Sequence, residues 1–338
     1  MLSVVVIGRN EASDLGGCLR SVRETLTHVD HELIYVDSGS KDDSLSIARR
    51  NGAQCLRLRT PQTTAGLARR AGALEARGDY LLFLDGDMHL QPGFVETALT
   101  VMETSGFEGA TGIRHDVYLR KGRVTGENLN YYRCTNRRNA PEFGGAILLR
   151  AAAMEKAGGW ASNIRACEEA ELHARFNKHG VRVVELPIPM IRHYDRARNN
   201  RGVWGALIAS RRLGLGQALV NAARMRCAGA LFNRERVAFR CWAADMLCVT
   251  ALCLGGRTAL WVVAAAQLLQ LLAFALLGRT SGFLGQKLLL LYLPAGVLSY
   301  RTRDENYDHW PENPRNANQK EGSSVFEYAD DQLGGGGI

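Results

Sequence analysis

Two carboxylates separated by a single glycine, Asp85-Gly86-Asp87, directly follow the apolar run YLLFL. Like charges at this spacing repel each other unless a cation or a hydrogen-bond donor lies between them. Carboxylate oxygens are ligands for Mg²⁺ or Mn²⁺, which keep coordination positions for water and for a diphosphate. Gly86 lets a nucleotide approach the backbone closely. The alternative interpretation, that both acids only form the turn before QPG at 91–93, stays open at this point.

Three further acids have types and positions suited to chemistry. Asp37 ends the apolar run ELIYV, where its carboxylate can accept from a nucleobase N–H or a ribose hydroxyl, or can form an Asx turn. Glu168 and Glu169 stand further along the chain, at the predicted start of a helix. A helix N-terminus stabilises negative charge, so pure capping is one interpretation of this pair. Removal of a proton from a hydroxyl group is the other, if the fold brings the pair across from Asp87.

The elements that must position these acids alternate along the N-terminal part of the chain. Short apolar runs predict strands, and they are SVVVI, ELIYV, CLRL and YLLFL, with helical patterns between them. This alternation predicts an α/β fold with a mostly parallel, twisted sheet flanked by helices. Ligands bind such sheets at the carboxyl ends of the strands. The residues that fall there are Arg9, Asn10, Glu11, Asp37, Asp85, Gly86 and Asp87.

A basic stretch followed by apolar sequence marks the C-terminal part. Between Arg192 and Arg257 there are twelve Arg and no Lys, against only Asp195, Glu235 and Asp245. Residues 259–277 then form 19 residues without a charge, close to the roughly 20 that cross a bilayer. The sequence therefore predicts two or three transmembrane or membrane-associated helices within 241–300. A buried core helix is the alternative interpretation of 259–277.

The basic stretch favours a phosphate-rich partner, either an anionic lipid surface or nucleic acid. Few aromatic side chains stand among its basic residues, so we expect an anionic membrane and no nucleic acid. Eight Cys without a CxxC pair indicate reduced, cytosolic cysteines, and MLSVVVIGRNEAS shows no signal peptide. These features predict a location at the cytoplasmic (inner) membrane, with the N-terminal domain facing the cytoplasm.

Five segments in order resemble the motifs of the family 2 inverting glycosyltransferases with the GT-A fold, and the resemblance covers roughly residues 2–195. The segments are SVVVIGRNEASDLGGCLRSV, LIYVDSGSKDDSLSIAR, AGLARRAGALEARGDYLLFLDGD, GGAILLRAAAMEKAGGW and CEEAELHARFNKHGVRV. The chain thus resembles an α/β protein of that fold, followed by a C-terminal helical, membrane-embedded region.

The resemblance implies roles for the residues at the sheet edge. Arg9, Asn10 and Glu11 match the loop that closes over the nucleotide base and ribose. Asp37 matches the acid that reads the base, commonly uracil. Arg69 matches an arginine close to the nucleotide, and Asp85 and Gly86 match residues near the ribose. Asp87 matches the residue that binds the metal, Mg²⁺ or Mn²⁺.

Two further roles follow from the same resemblance. Glu169 falls at the position of the catalytic base, where the family commonly has Asp, so Glu168 can share the task. His193 falls where some members place another metal ligand, although a lone His after a strand is often structural. Arg70 departs from the family pattern, because Asn is common there. No Gln-x-x-Arg-Trp sequence follows the base, which implies transfer of single sugars rather than chain elongation.

The implied activity is metal-dependent, inverting transfer of one sugar from a nucleoside-diphosphate sugar, a UDP-sugar by preference, to a hydroxyl acceptor. The acceptor is expected to be lipid-linked or destined for a cell-surface polysaccharide or glycolipid. One alternative is a catalytically silent membrane scaffold with the same fold. Another is a different nucleotide-using α/β enzyme, which would normally show a Gly-rich loop after its first strand. IGRNEAS has none.

Four regions are predicted from these patterns. Residues 1–200 form the nucleotide-sugar-binding catalytic domain, and 201–240 form basic amphipathic helices at a membrane surface. Residues 241–300 are the apolar helical region, and 301–338 are a polar, flexible tail.

Overall fold

The structure of the protein is a computed structural model that describes residues 1–60, 62–196, 211–255, 257–276, 289–301 and 326–328. The chain divides into two compact units. The first consists of Met1–Asn163, Arg175–Asn199 and Thr302–Ile338, and the second of Ile164–Ala174 and Asn200–Arg301.

The first part of the chain forms alternating strands and helices, as its apolar runs predict. The strands are β1 (Leu2–Gly8), β2 (His31–Asp37), β3 (Gln54–Leu58) and β4 (Tyr80–Asp85), and the helices are α1 (Leu15–Thr25), α2 (Ser44–Arg50) and α3 (Ala65–Glu75). All four strands run parallel, with Val5 opposite Ile34 on β2 and Phe83 on β4. Both faces of β1 are covered, which is why its run is apolar at every position except the buried Ser3.

The following segment adds short strands and the return of the chain into the sheet. Its elements are β5 (Met88–Leu90), α4 (Phe94–Ser105), β6 (Gly109–Arg120), β7 (Arg123–Asn128), β8 (Arg138–Asn139), β9 (Ile147–Arg150), α5 (Ala151–Ala157), α6 (Glu168–His179) and β10 (Val183–Arg196). A last strand, β11 (Phe326–Tyr328), pairs antiparallel with β3. The predicted tail at 301–338 therefore contains an edge strand.

The described strands form one mixed sheet in the order β11-β3-β2-β1-β4-β9-β6-β10-β5, with β7 on β6 and β8 on β10. The prediction of a mostly parallel sheet holds for β1 to β4 and for the pair of β6 and β10, but the sheet as a whole is mixed. β9 runs antiparallel to both β4 and β6, and β5 runs antiparallel to β10. The chain passes from β6 to β9 through β7 and β8 without a helix, so it lacks the crossover that a parallel neighbour of β6 requires.

The main core lies against the sheet between β1, β4, β9 and the covering helices. Leu82, Leu148, Leu19 and Phe94 are among its fully buried members. Burying side chains of this size stabilises the fold by about 1.5–3 kcal/mol each. The core therefore anchors the strand ends that carry the acids.

The second unit is helical. Its described helices after α6 are α7 (Arg211–Arg224), α8 (Ala228–Arg234), α9 (Arg236–Leu254), α10 (Arg257–Leu276) and α11 (Leu289–Ser299). Leu215 of α7 and Leu293 of α11 form a small buried cluster with Phe239 and Trp242 against it. Residues 201–210 and 277–288, which belong to the predicted surface and apolar regions, lie outside the described residues.

Across the part of the chain that the structure describes, no helix is both long enough and apolar enough to cross a bilayer. The predicted membrane-embedded region within 241–300 is therefore unsupported by the described helices.

Candidate active site

The loop after β1 is held against the loop after β2. Asn10 has a left-handed backbone, with φ of 58°, and its N–H donates to Ser40 Oγ at 2.9 Å. Its side-chain Oδ1 accepts from the Lys41 N–H at 2.8 Å, and the Glu11 N–H donates to Ser44 Oγ at 2.9 Å. Asn tolerates this backbone because its short polar side chain bonds locally. The loop containing Arg9, Asn10 and Glu11 thus has a fixed shape before any ligand binds.

Asp37 lies at the carboxyl end of β2, where the sequence predicts it, and is fully buried. Its two oxygens accept from the Ser40 N–H at 3.1 and 3.2 Å, and Oδ2 accepts from Arg57 Nε at 3.2 Å. Arg57 is opposite Asp37 in the β2–β3 register. The sequence analysis did not select Arg57, which holds this carboxylate in a fixed orientation.

Gly86 brings the turn after β4 against the loop after β1. Its N–H donates to the carbonyl of Ile7 at 2.9 Å. A Cβ at position 86 would lie 3.3 Å from the Glu11 side chain and 3.4 Å from Leu15. The absence of a side chain therefore serves the contact between the two loops, in addition to any approach by a nucleotide.

Arg69 reaches the same edge from α3. Its Nη2 lies 2.8 Å from Asp85 Oδ1, and its side chain is only 2% exposed. The guanidinium lies 4.9 Å from the centre of the Trp160 ring, a cation–π distance. Asp85 is thus engaged by an arginine. Its role near the ribose stays a prediction.

The backbone of Gly145 lies directly beside the Arg69–Asp85 ion pair. The sequence around Gly145 did not predict this contact. A Cβ there would collide with Arg69 Nη2 and would lie 2.9 Å from Asp85 Oδ2. Because Arg69 is buried under Trp160, the pair has little room to move.

Gly145→Ala is therefore expected to displace Asp85 and to weaken nucleotide binding. Overpacking of this kind costs about 1–3 kcal/mol, and 1.4 kcal/mol corresponds to about a tenfold change in a dissociation constant. The check is calorimetric titration of UDP into both proteins. Gly126→Ala is the matched control, because its Cβ would meet only Tyr118 at 3.7 Å. Equal UDP affinity in the Gly145 variant and the wild type would contradict this account of the pair.

Asp87 and His193 come together at the other side of the turn. His193 Nε2 lies 3.5 Å from Asp87 Oδ2, and both side chains are largely buried. His193 lies within β10 rather than after a strand, as the sequence analysis had it, and is opposite Met88 in the β10–β5 register. Burial alone lowers the pKa of His193, but the hydrogen bonds and charge of Asp87 and Asp116 raise it above its ordinary value.

The residues at this turn fit a divalent cation that arrives with a diphosphate. Among the described residues, no group of three or more His, Cys, Asp or Glu side chains is placed to hold a metal by itself. Asp87 and His193 nevertheless supply one carboxylate and one imidazole nitrogen at the same point. Mg²⁺ and Mn²⁺ are commonly held by one or two protein ligands, with substrate phosphates and water as the remainder.

Glu168 and Glu169 lie in the first turn of α6, as predicted, and belong to the second unit. Glu168 is buried, at 5% exposed, and Glu169 is half-buried. Glu171, two positions further, is fully buried and accepts from Asn221 Nδ2 at 2.8 Å. Glu169 is thus the most exposed of these three acids on α6.

Arg70, the departure noted in the sequence, has a structural partner. Its Nη1 donates to the carbonyls of Gly158 at 3.0 Å and Trp160 at 3.2 Å. It therefore fixes the segment that carries Trp160, which in turn covers Arg69.

Arg196 lies at the end of β10 and forms an ion pair with Asp14, the residue before α1. The distance from Arg196 Nη2 to Asp14 Oδ1 is 2.7 Å. The sequence analysis selected neither this contact nor that of Arg70, because both join residues far apart in the chain.

Residues 3–154 match the family described as glycosyl transferase family 2. It is 25% identical over 212 residues to the succinoglycan biosynthesis protein ExoA of Rhizobium meliloti, covering 58% of this chain and 63% of that protein. It is 30% identical over 155 residues to dodecaprenyl-phosphate galacturonate synthase of Rhizobium johnstonii, covering 40% of this chain and 46% of that protein. The chain thus spans less than two thirds of either relative.

A solved structure supports the fold. The mannosyltransferase PcManGT of Pyrobaculum calidifontis superposes with a TM-score of 0.57 at 16% identity, over 88% of this chain and 86% of that one. The GT-A-like α/β fold that the sequence predicts is confirmed, with the mixed sheet described above.

Proposed function

We propose that the protein is a metal-dependent inverting glycosyltransferase that moves one sugar from a nucleoside-diphosphate sugar, a UDP-sugar by preference, to a hydroxyl acceptor. The observation that supports this most strongly is the convergence at one sheet edge of Asp37, the Arg69–Asp85 pair and the Asp87–His193 pair. In this proposal Asp37 contacts the base, Asp85 lies near the ribose, and Asp87 binds the cation at the diphosphate. The three acids thus follow the order of the groups along a nucleoside diphosphate.

The chemistry assigns each group one task. The acceptor oxygen attacks the anomeric carbon as the bond from that carbon to the diphosphate oxygen breaks on the opposite face, which inverts the configuration. A divalent cation at Asp87 and His193 would offset the negative charge that develops on the leaving diphosphate. Glu169 takes the acceptor proton, an assignment that rests on the resemblance of its position. Asp37, Arg69 and Asp85 hold the donor so that the anomeric carbon is aligned for attack.

The relatives guide the choice of substrates. One is named a dodecaprenyl-phosphate galacturonate synthase, another a succinoglycan biosynthesis protein, and the fold relative was solved in complex with GDP-Man and Mn²⁺. These names support a nucleoside-diphosphate donor with Mn²⁺, and an acceptor that is lipid-linked or part of a polysaccharide or glycolipid.

The direct test offers UDP-, GDP- and dTDP-sugars to the protein with Mn²⁺ and a lipid-linked acceptor sugar, and measures nucleoside-diphosphate release and the product by NMR. We expect UDP release, a single added sugar, and an anomeric configuration opposite to that of the donor. A retained configuration would contradict the mechanism. Binding of UDP without transfer to any acceptor would favour the silent scaffold instead.

We also propose that the second unit places the enzyme at the inner face of the cytoplasmic membrane. Large apolar side chains are exposed on α10, with Trp261 at 78% and Leu269 at 67%. Exposed apolar groups of this size mark interaction surfaces, and the preceding twelve-Arg stretch favours an anionic lipid surface as the partner.

Binding to phosphatidylglycerol-containing vesicles is expected to fall when Arg211, Arg212, Arg224 and Arg226 are replaced by Gln. Each basic residue near such a surface contributes roughly 1 kcal/mol to binding. Vesicle co-sedimentation of the full chain measures the change. Replacement of four exposed cations of the first unit by Gln is the charge-matched control, at Arg120, Lys121, Arg123 and Arg133. Equal loss in both variants, or no loss in either, would refute a docking role for this stretch.

A further inference from the structure

We propose that Asp116 is a positioning residue for His193. The Asp116 carboxylate holds the His193 imidazole so that Nε2 faces Asp87. The proposal rests on the proposed function, because it treats Asp87 and His193 as the pair that holds the cation. Asp116 was not selected from the sequence, and it lies 77 positions before His193.

The sheet register explains why side chains from two strands and the turn before β5 meet. β10 lies between β6 and β5, and His193 on β10 is opposite Asp116 on β6 and Met88 on β5. The N–H of Tyr194 donates to the carbonyl of Asp87 at 2.9 Å, which fixes the turn before β5 to the same point of β10. The imidazole therefore lies between a carboxylate on each side.

The distances show how the ring is held. His193 Nδ1 is 2.8 Å from Asp116 Oδ1, and Nε2 is 3.5 Å from Asp87 Oδ2. Asp116 is 1% exposed, so its carboxylate has little access to water and depends on these partners. The same Oδ1 accepts from Arg114 Nε at 2.6 Å, which fixes the carboxylate in turn.

The donor and acceptor properties of these groups select one tautomer. Arg114 Nη2 also lies 3.0 Å from Nδ1, so this nitrogen has a donor and an acceptor beside it. A bare Nδ1 could accept from Arg114, but its lone pair would then face an ionised carboxylate oxygen at 2.8 Å. A protonated Nδ1 donates to Asp116, while Arg114 keeps its own bond to that carboxylate. The contact of Nδ1 with the ionised Asp116 carboxylate, at 2.8 Å, is shorter than its 3.0 Å contact with Arg114 Nη2, so we assign Nδ1–H to the neutral ring. The lone pair of Nε2 is then on the side where a cation would lie beside Asp87.

This arrangement is what a cation-binding histidine needs, since a carboxylate on the second nitrogen fixes the ring and raises the basicity of the first. Loss of such a partner typically lowers metal affinity by about 10- to 100-fold. Asp116→Asn is therefore expected to weaken Mn²⁺ binding in the presence of UDP by that factor. In a His193→Gln background the same change is expected to have no further effect.

Two measurements test the proposal. The first is calorimetric titration of Mn²⁺, with UDP present, into wild type, Asp116→Asn, His193→Gln and the double variant. The second is the nitrogen chemical shifts of the His193 imidazole at a pH where the ring is neutral, assigned by their absence in His193→Gln. We expect Nδ1–H in the wild type and loss of that tautomer preference in Asp116→Asn.

The control is Glu127→Gln, which removes a carboxylate from His115 Nε2 at the same 2.8 Å distance without touching His193. It should leave Mn²⁺ affinity unchanged. Asp116→Asn also deprives Arg114 of a buried partner. The double variant Arg114→Gln with Asp116→Asn, which removes both charges, is therefore measured together with the single variant.

The outcomes separate this proposal from the proposed function. Equal losses of Mn²⁺ affinity from Asp116→Asn in both backgrounds would mean that Asp116 serves only Arg114, and would overturn the proposal. An Nε2–H ring in the wild type would overturn it as well. If the wild type binds UDP but no Mn²⁺, the metal-dependent function fails, and the imidazole shifts still decide whether Asp116 orients His193.

Discussion

Replacement of Asp87 by Ala is expected to lower kcat/KM for sugar transfer on the order of 10³-fold, because stabilisation of the leaving group by a cation is worth several kcal/mol. Asp87 is the carboxylate at this edge that faces His193, whereas Asp85 is engaged by Arg69. Without the Asp87 carboxylate, the imidazole alone would hold the cation. Steady-state rates at several Mn²⁺ concentrations measure the effect.

Asp79→Ala is the matched control for this substitution. Asp79 precedes β4 at the strand end opposite Asp85, and its side chain is 62% exposed. It should leave the rate unchanged, while a comparable loss would indicate a general effect on β4. If excess Mn²⁺ restored wild-type kcat to Asp87→Ala, Asp87 would contribute to affinity for the cation and not to the chemical step.

Replacement of Glu169 by Gln is expected to lower kcat by about 10²- to 10⁴-fold, the usual contribution of a general base. The change keeps the shape of the side chain and removes its ability to take a proton. UDP affinity should be unchanged, because Glu169 is assigned no contact with the nucleotide. Rates under saturating donor and acceptor, together with UDP titration, separate the two effects.

Two neighbours on α6 provide the comparison for Glu169→Gln. Glu168→Gln tests whether the base is shared, and a loss of similar size there would move the role to the buried acid. Glu171→Gln alters an acid already bonded to Asn221 and should affect thermal stability more than kcat. Losses below about threefold in both Glu168→Gln and Glu169→Gln would contradict a general base in this pair, since base catalysis contributes far more. That result would favour an acceptor oxygen that is already ionised, such as a lipid phosphate.

The N-terminal half of the fold could be predicted because its strands are buried on both faces, and such strands are recognised in the sequence as apolar runs. β1 and β4 are covered on both faces, so SVVVI and YLLFL are apolar at nearly every position. Their lengths and the helices between them restrict the topology to parallel strands. The carboxyl ends of those strands then bring Asn10, Asp37 and Asp85 to one edge.

The second half could not be predicted in the same way, because its strands are short or irregular. β10 continues for 14 residues, but only its first four, VVEL, form an unbroken buried run. Pro187 and Pro189 lack the N–H of a regular ladder. The pairing with β6 shifts register between Glu185 and Pro189, and again before Ile191. His193 therefore lies inside a strand that local pattern alone would end earlier.

Side-chain contacts between neighbouring strands could not be predicted from the sequence for a related reason. Arg57 meets Asp37, and Asp116 meets His193, only through the register of neighbouring strands. Gly145 has its effect only because Arg69 and Asp85 converge beside it. None of these residues stands in a spacing pattern with its partner, so a contact that depends on register leaves no local signal.

The central claim is that the turn after β4 binds a nucleoside diphosphate together with a divalent cation. The most direct test is calorimetric titration of UDP into the wild type and Asp87→Ala, each with and without Mn²⁺. We expect binding that depends on Mn²⁺ in the wild type and is lost in the variant. Equal UDP affinity in the two proteins with Mn²⁺ present would contradict the assignment of Asp87. No UDP binding by the wild type would contradict the proposed nucleotide, and titration with GDP and dTDP would then decide whether the site binds another one.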